Sequence, residues 1–194
     1  MIFEPGQTFV IIKDGFIDIA NIKSIVRKCL FLDIISYSND YICSNLDTKS
    51  IQEFVDYDQI YPVDSKAFFE VRSLYEESIS KVKKLIENYQ ETKEPPTPGM
   101  VFRFDCNDST TDLYLVKNRI SDFEFETEHR EIDEDSLTKT IGSITYEFDE
   151  DETFKVIPSR NFKEILKIYR YVFYKIEDTI LTALENSWMK EEDN

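Results

Sequence analysis

The chain repeats itself, and this repeat constrains its fold more than any other feature. Pro5-Gly6-Gln7-Thr8-Phe9 returns 93 residues later as Pro98-Gly99-Met100-Val101-Phe102. Tyr61-Pro62 finds a counterpart in Ile157-Pro158 at an offset of 96. Just beyond, Phe68–Tyr75 aligns with Phe162–Tyr169, and the match runs ungapped at an offset of 94 through Lys81/Lys175, Val82/Ile176 and Ile86/Ile180. Between the copies, residues 91–98 are polar, proline-rich and extended in character. The expected organisation is a first unit over 1–92, a linker over 93–98 and a second unit over 99–194.

Each unit reads as short strands closed by one helix. In the first, Thr8–Ile12 and Phe16–Ile19 flank Asp14-Gly15, a pair suited to a tight hairpin. Residues 22–35 read as one long β-branched strand, with Tyr41–Cys43 and Ile51–Val55 as shorter ones. From 66 to 90 the apolar period becomes helical, with Asp64 or Ser65 placed to cap the first turn. The second unit follows suit: strands over Val101–Phe104, Leu113–Val116, Phe123–Thr127, Ile141–Phe148 and Thr153–Ile157, then a helix to about Ser187 capped by Asn161 with Glu164. The apolar arc of that last helix is too wide for a single contact. About five strands in so short a span predict an α+β fold. It is a tandem duplication of a small SH3-like barrel or curved antiparallel sheet, each copy followed by one long amphipathic helix.

Reaction chemistry has little to stand on. The four glycines stand apart, so neither a phosphate-binding loop nor a dinucleotide fingerprint is present. The single histidine, His129, sits between carboxylates and reads as a solvated residue; no serine lies in a nucleophile-elbow setting. Acidic runs at 133–135 and 149–152 lack the alternating ligands of a calcium loop. No catalytic residue, cofactor or metal is therefore expected. Three cysteines at unrelated spacings read as reduced thiols. With no export signal and no apolar run approaching a membrane span, a cytoplasmic location is expected. Twenty-three isoleucines against three alanines is the usage of A+T-rich codons, which suggests a low-GC bacterium or its phage.

Asp58-Gln59-Ile60-Tyr61-Pro62-Val63-Asp64, followed by an amphipathic helix, resembles the closing segment of toxins of the MazF/PemK ribonuclease family. Pro5-Gly6-Gln7-Thr8-Phe9 is similar to their opening strand. The resemblance implies an SH3-like barrel with a C-terminal helix. The Arg-Pro-Val-Val stretch of that family is absent, as is any match to its basic RNA-cleaving face, so the barrel carries over and the nuclease activity does not.

Charge is the remaining signal. The formal net charge is −16, and residues 122–152 hold 13 acids against Arg130 and Lys139. A chain this negative repels phosphate backbones, which argues against direct nucleic-acid binding. In Asp122–Glu128 acids alternate with aromatic residues, which places a row of carboxylates about 7 Å apart on one strand face. Such a row gains from a basic partner. The expected function is a non-enzymatic, protein-binding module, phage-encoded, that acts in host takeover as a nucleic-acid mimic. It would inhibit or modulate a nucleic-acid-handling host protein, with RNA polymerase or a specificity factor (a transcription inhibitor's target) first in line. The acidic contacts are Asp122, Glu124, Glu126, Glu128, Glu131, Asp133, Glu134, Asp135, Asp149, Glu150, Asp151 and Glu152; Tyr171, Tyr174 and Trp188 on the last helix are the aromatic anchors. A virion assembly protein and a small-barrel toxin-like ribonuclease are the alternatives.

Overall fold

Runs of β-branched and aromatic residues broken by glycine turns fold here into antiparallel sheets, and the two helical-period segments form the long helices. In this computed structural model the described residues are 2–13, 15–38, 40–56, 59–106, 110–132, 136–138 and 142–192, with side chains as far as Met189. The fold is α+β, and the chain divides into two compact units: residues 1–77 with 171–194, and residues 78–170. The division falls inside both long helices, α2 (Ser65–Glu87) and α3 (Ser159–Glu192).

The first unit contains β1 (Thr8–Lys13), β2 (Phe16–Val26), β3 (Cys29–Tyr37), β4 (Tyr41–Ser50), the short helix α1 (Ile51–Val55) and β5 (Ile60–Val63). Its strands are ordered β5-β1-β2-β3-β4, all antiparallel. One sheet face gathers Phe9, Ile11, Ala20, Ile22, Leu30, Leu32 and Ile34 around Phe54 of α1. The other face is buried too, through Val10, Ile19, Ile35 and Tyr37, the last 6.2 Å from the Phe173 ring. With both faces covered, these strands read as continuous apolar runs, and the sequence reading merged two of them. Residues 22–35 are not one strand but the ends of β2 and β3, reversed at Arg27 and Lys28, both at positive φ. Ile51–Val55 is helical rather than extended, because Ser50 and Glu53 form a reciprocal capping box over its first turn.

One residue of this sheet is out of place energetically. Asp18 lies opposite Ile11 and Ser36, and its Oδ1 is buried without a partner. Burial raises its pKa, against the opposing effects of a Ser36 hydrogen bond and Lys13. A raised native pKa means the ionised carboxylate costs stability above that pKa, and the cost vanishes once pH falls below the ordinary carboxylate value. Asp18→Asn is therefore expected to gain on the order of 1 kcal/mol at pH 7. The gain should shrink on acidification, read by denaturant midpoints across pH.

The second unit contains β6 (Gln90–Thr92), β7 (Val101–Asp105), β8 (Thr111–Ser121), β9 (Glu124–Ile132), β10 (Ser136–Thr138), β11 (Gly142–Glu147) and β12 (Phe154–Ile157). The order is β6-β12-β7-β8-β9-β10, with β11 also pairing β9. Phe102, Tyr114, Val116, Phe125, Phe148 and Phe154 form its aromatic core. Asn161 does not cap α3, which already starts at Ser159. It is buried inside the helix and donates from Nδ2 to the Leu85 carbonyl at 3.0 Å. The buried positions of α3 are Phe162, Ile165, Tyr169, Val172, Phe173, Ile176, Ile180, Ala183 and Leu184, a broad stripe, while Tyr171 and Leu181 on its other faces are exposed.

The same backbone pattern recurs in both units. Gly6 and Gly99 sit at φ +88° and +87°. The Gly6 N–H donates to Ile22 and the Gly99 N–H to Val116, at 2.7 and 2.8 Å; Ile22 and Val116 donate back to Gln7 and Met100. A register shift follows each of those acceptors, at Ile22/Ser24 and Val116/Asn118. Val63 faces Thr8 as Ile157 faces Val101, so by strand register it is Val63, rather than Tyr61, that holds the position Ile157 holds in the second unit. The offset there is 94, the same as in the helices.

Candidate functional site

Two groups of polar residues stand out, both in the second unit. The first was invisible as a group in the sequence. Alternation along β8 and β9 puts Asp112, Tyr114 and His129 on neighbouring strands, with Tyr114 and His129 directly opposite. Their rings stack at 4.9 Å and 12°. Asp112 Oδ2 accepts from Cys106 Sγ at 2.9 Å and from the Tyr114 hydroxyl at 3.1 Å. His129 Nε2 lies 2.9 Å from Asp112 Oδ1, an ion-pair distance without a well-aligned hydrogen bond. His129 is thus largely buried and not the solvated residue its flanking carboxylates suggest; those neighbours on β9 point away from it or to its side. The grouping of Cys, His and Asp could suggest a thiol nucleophile, but its electrostatics oppose one. Burial, the hydrogen bond to Asp112 and the charges of Asp112, Glu131 and Asp105 push the Cys106 thiol up to about 11. A thiolate needs cations nearby, and this thiol faces carboxylates. Among the described residues, no three His, Cys, Asp or Glu side chains come together so as to hold a metal ion.

The second group is the acidic surface. On β9, Phe125 and Thr127 point into the core, while Glu124, Glu126 and Glu128 share the opposite face. β11 extends that face, with Glu147, Thr145 and Ser143 opposite the three glutamates in turn. Two of the three are locally satisfied: Glu126 accepts from Asn118 at 2.6 Å, and Glu128 pairs with Lys117 at 2.7 Å and Arg130 at 3.0 Å. The Lys117 hydrogen bond foremost holds the Glu128 carboxyl below its ordinary range, against burial. Asp122 lies 3.5 Å from Arg119, fully in solvent. Glu124 and Glu147, directly opposed, repel one another.

Beside that face, the 149–152 segment separates two hollows of about 410 and 480 Å³. Asp149 and Glu152 line both. The first is floored by Phe102, Phe104, Tyr146 and Phe154 and also bordered by Asp151; the second by Phe123 and Phe148, with Glu124 and Glu147 at its rim. Glu152 accepts from the Tyr146 hydroxyl at 2.6 Å; burial foremost, and then this bond, raises the Tyr146 pKa. At the far side of the first hollow Asp105 holds Lys155 at 2.7 Å and Arg103. Burial alone would raise its carboxyl, but these two cations hold it below its usual range. Among the described residues, Glu124, Glu147, Asp149, Glu150 and Asp151 have no cationic partner.

The remaining residues named from the sequence distribute as follows. Glu131 is half-buried on β9; Asp133, Glu134 and Asp135 lie outside the described residues. Tyr171, Tyr174 and Trp188 belong to the first unit, not to the unit that carries the acids. Tyr171 and Tyr174 are well exposed on α3, and Trp188 packs edge-on against Tyr61 at 5.9 Å. Glu147 and the aromatic floors were missed; alternation over 142–148 was the available signal. No described helix is long and apolar enough to cross a membrane. Neither a protein-family model, nor a curated protein, nor a solved structure matches the chain.

Proposed function

We propose that the chain is a non-enzymatic, acidic protein-binding module that docks on a basic surface of a nucleic-acid-handling protein. On this reading it is phage-encoded and inhibits or modulates its target, with RNA polymerase or a specificity factor as the first partner to test. One observation carries it: carboxylates without a cationic partner, Asp149 and Asp151 in one and Glu124, Glu147 and Asp149 in the other, line two adjoining hollows together with aromatic rings, while the cations that also line the first, Arg103 and Lys155, are held by Asp105. Aromatic faces and carboxylates together suit a lysine or arginine side chain, which gains from both the ring quadrupole and the opposite charge. The same sign of charge is the wrong one for gripping RNA, which disfavours the toxin-like ribonuclease alternative. The finer fold reading also belongs here: two copies of an SH3-like barrel and helix, derived by duplication. The recurring strand order, glycine turns and uniform register support it.

The test is capture from a bacterial lysate by the full chain and by a variant carrying Glu124→Gln, Glu147→Gln, Asp149→Asn and Asp151→Asn. A nucleic-acid-binding protein should be retained at about 0.1 M salt and released at about 1 M, where the screening length falls from about 10 Å to about 3 Å. The variant should lose it at either salt. A partner held equally well at high salt, or by the variant, would refute the electrostatic account.

A further inference from the structure

The acidic face ends at a strand with a free edge. β11 pairs β9 over Gly142–Glu147 in unbroken register, and among the described residues no strand pairs its other side. Such an edge presents unpaired backbone donors and acceptors, which proteins ordinarily blunt with lysine, proline or a bulge. Gly-Ser-Ile-Thr-Tyr-Glu has none of these, and most of its residues favour strands.

The two faces of this edge differ in chemistry. Ser143, Thr145 and Glu147 stand beside Glu128, Glu126 and Glu124 on one face. Ile144 and Tyr146 stand beside Thr127 and Phe125 on the other, where Ile144 is 39% exposed and Phe104, 6.5 Å from Tyr146, is 46% exposed. We propose that this edge takes up an extended segment of the partner as an added strand, with Lys or Arg at alternate positions and apolar residues between them. The inference rests on the docking function proposed above and adds its mode. Basic side chains of the added strand would lie over the glutamate face, and its apolar ones against Ile144 and Phe104. Its backbone would complete the ladder. A second copy of the chain is a poor occupant: pairing two such edges would merge two acidic sheet faces, in molecules each carrying −16.

The full chain should be titrated with fluorescent Lys-Val-Lys-Val-Lys-Val and with Lys-Pro-Lys-Pro-Lys-Pro, which has the same charge but lacks half the backbone donors and favours polyproline II over a paired strand. The first peptide is expected to bind about tenfold or more tightly, weaken with salt, and slow amide exchange within residues 142–147. Equal affinity for the two peptides, or unchanged exchange in that strand, would overturn edge pairing while leaving the acidic docking surface standing. Failure of both to bind at about 0.1 M salt would overturn the two readings together. A concentration-dependent dimer that protects the same strand would assign the edge to a second copy and end the proposal.

Discussion

Truncating Phe102 to alanine should cost about 3–5 kcal/mol of stability, the range for removing a buried aromatic ring. Phe102 is 1% exposed and central to its unit. It stacks on Tyr114 at 5.1 Å and meets Tyr146 and Phe154 edge-on at 4.9 and 5.4 Å. Alanine would leave a cavity bounded by three rings that cannot all close onto it, since Tyr114 and Tyr146 are tethered through their hydroxyls to Asp112 and Glu152. Phe9 occupies the same register position in the first unit, facing Ala20 and Pro62 as Phe102 faces Tyr114 and Val156. It meets two rings, Phe3 and Phe54. Phe9→Ala should therefore also be severe but less so, because more of its surroundings is aliphatic and able to relax. Denaturant unfolding, followed by amide exchange in each unit, measures both. A Phe102→Ala loss under about 1 kcal/mol would mean the aromatic core is not packed as described.

Legibility in the sequence followed the chemistry of each segment. The helices were readable because Phe68, Val71, Tyr75 and Val82, and again Phe162, Ile165 and Tyr169, keep a helical period with charged residues between them. The β2–β3 reversal was not. Its turn is Arg27-Lys28 rather than a glycine pair, and both residues adopt positive φ that their side chains disfavour. Ile51–Val55 carried a strand-like composition, while the decisive signal was the Ser50 and Glu53 pair around it. The alternation in 122–128 placed Glu124, Glu126 and Glu128 on one face, because period-two patterns survive in a sheet with one solvated side, but Asp122 and Phe123 fall in the turn before β9, outside the row, and Phe123 is exposed. The partners of those glutamates, Asn118 and Lys117, come from β8 and depend on a register shift that no local pattern announces. The halves of α3 likewise look alike in sequence, yet fall in different compact units.

Asp112 shows how far a buried charge can govern its neighbours, and its removal is the second large effect expected. It is 7% exposed and serves the Tyr114 hydroxyl, the Cys106 thiol and the His129 imidazole at once. Asp112→Ala strands the buried Tyr114 hydroxyl and removes the charge beside the His129 imidazole, while the exposed Cys106 thiol can turn to water; the loss should be on the order of 1–3 kcal/mol, the desolvation penalty of a buried polar group left unpaired. A loss of stability alone would be compatible with simple cavity formation, so a second reading is needed. Cys106 supplies it. Two of the influences that push its thiol to about 11 come from Asp112, a hydrogen bond and a charge. Without them the midpoint of its alkylation rate against pH should move down, toward the ordinary thiol range. Greater exposure would only raise the rate by the same factor at every pH. A midpoint that stays in place while stability falls would make Asp112 a packing residue; unchanged stability would remove it from the core network altogether.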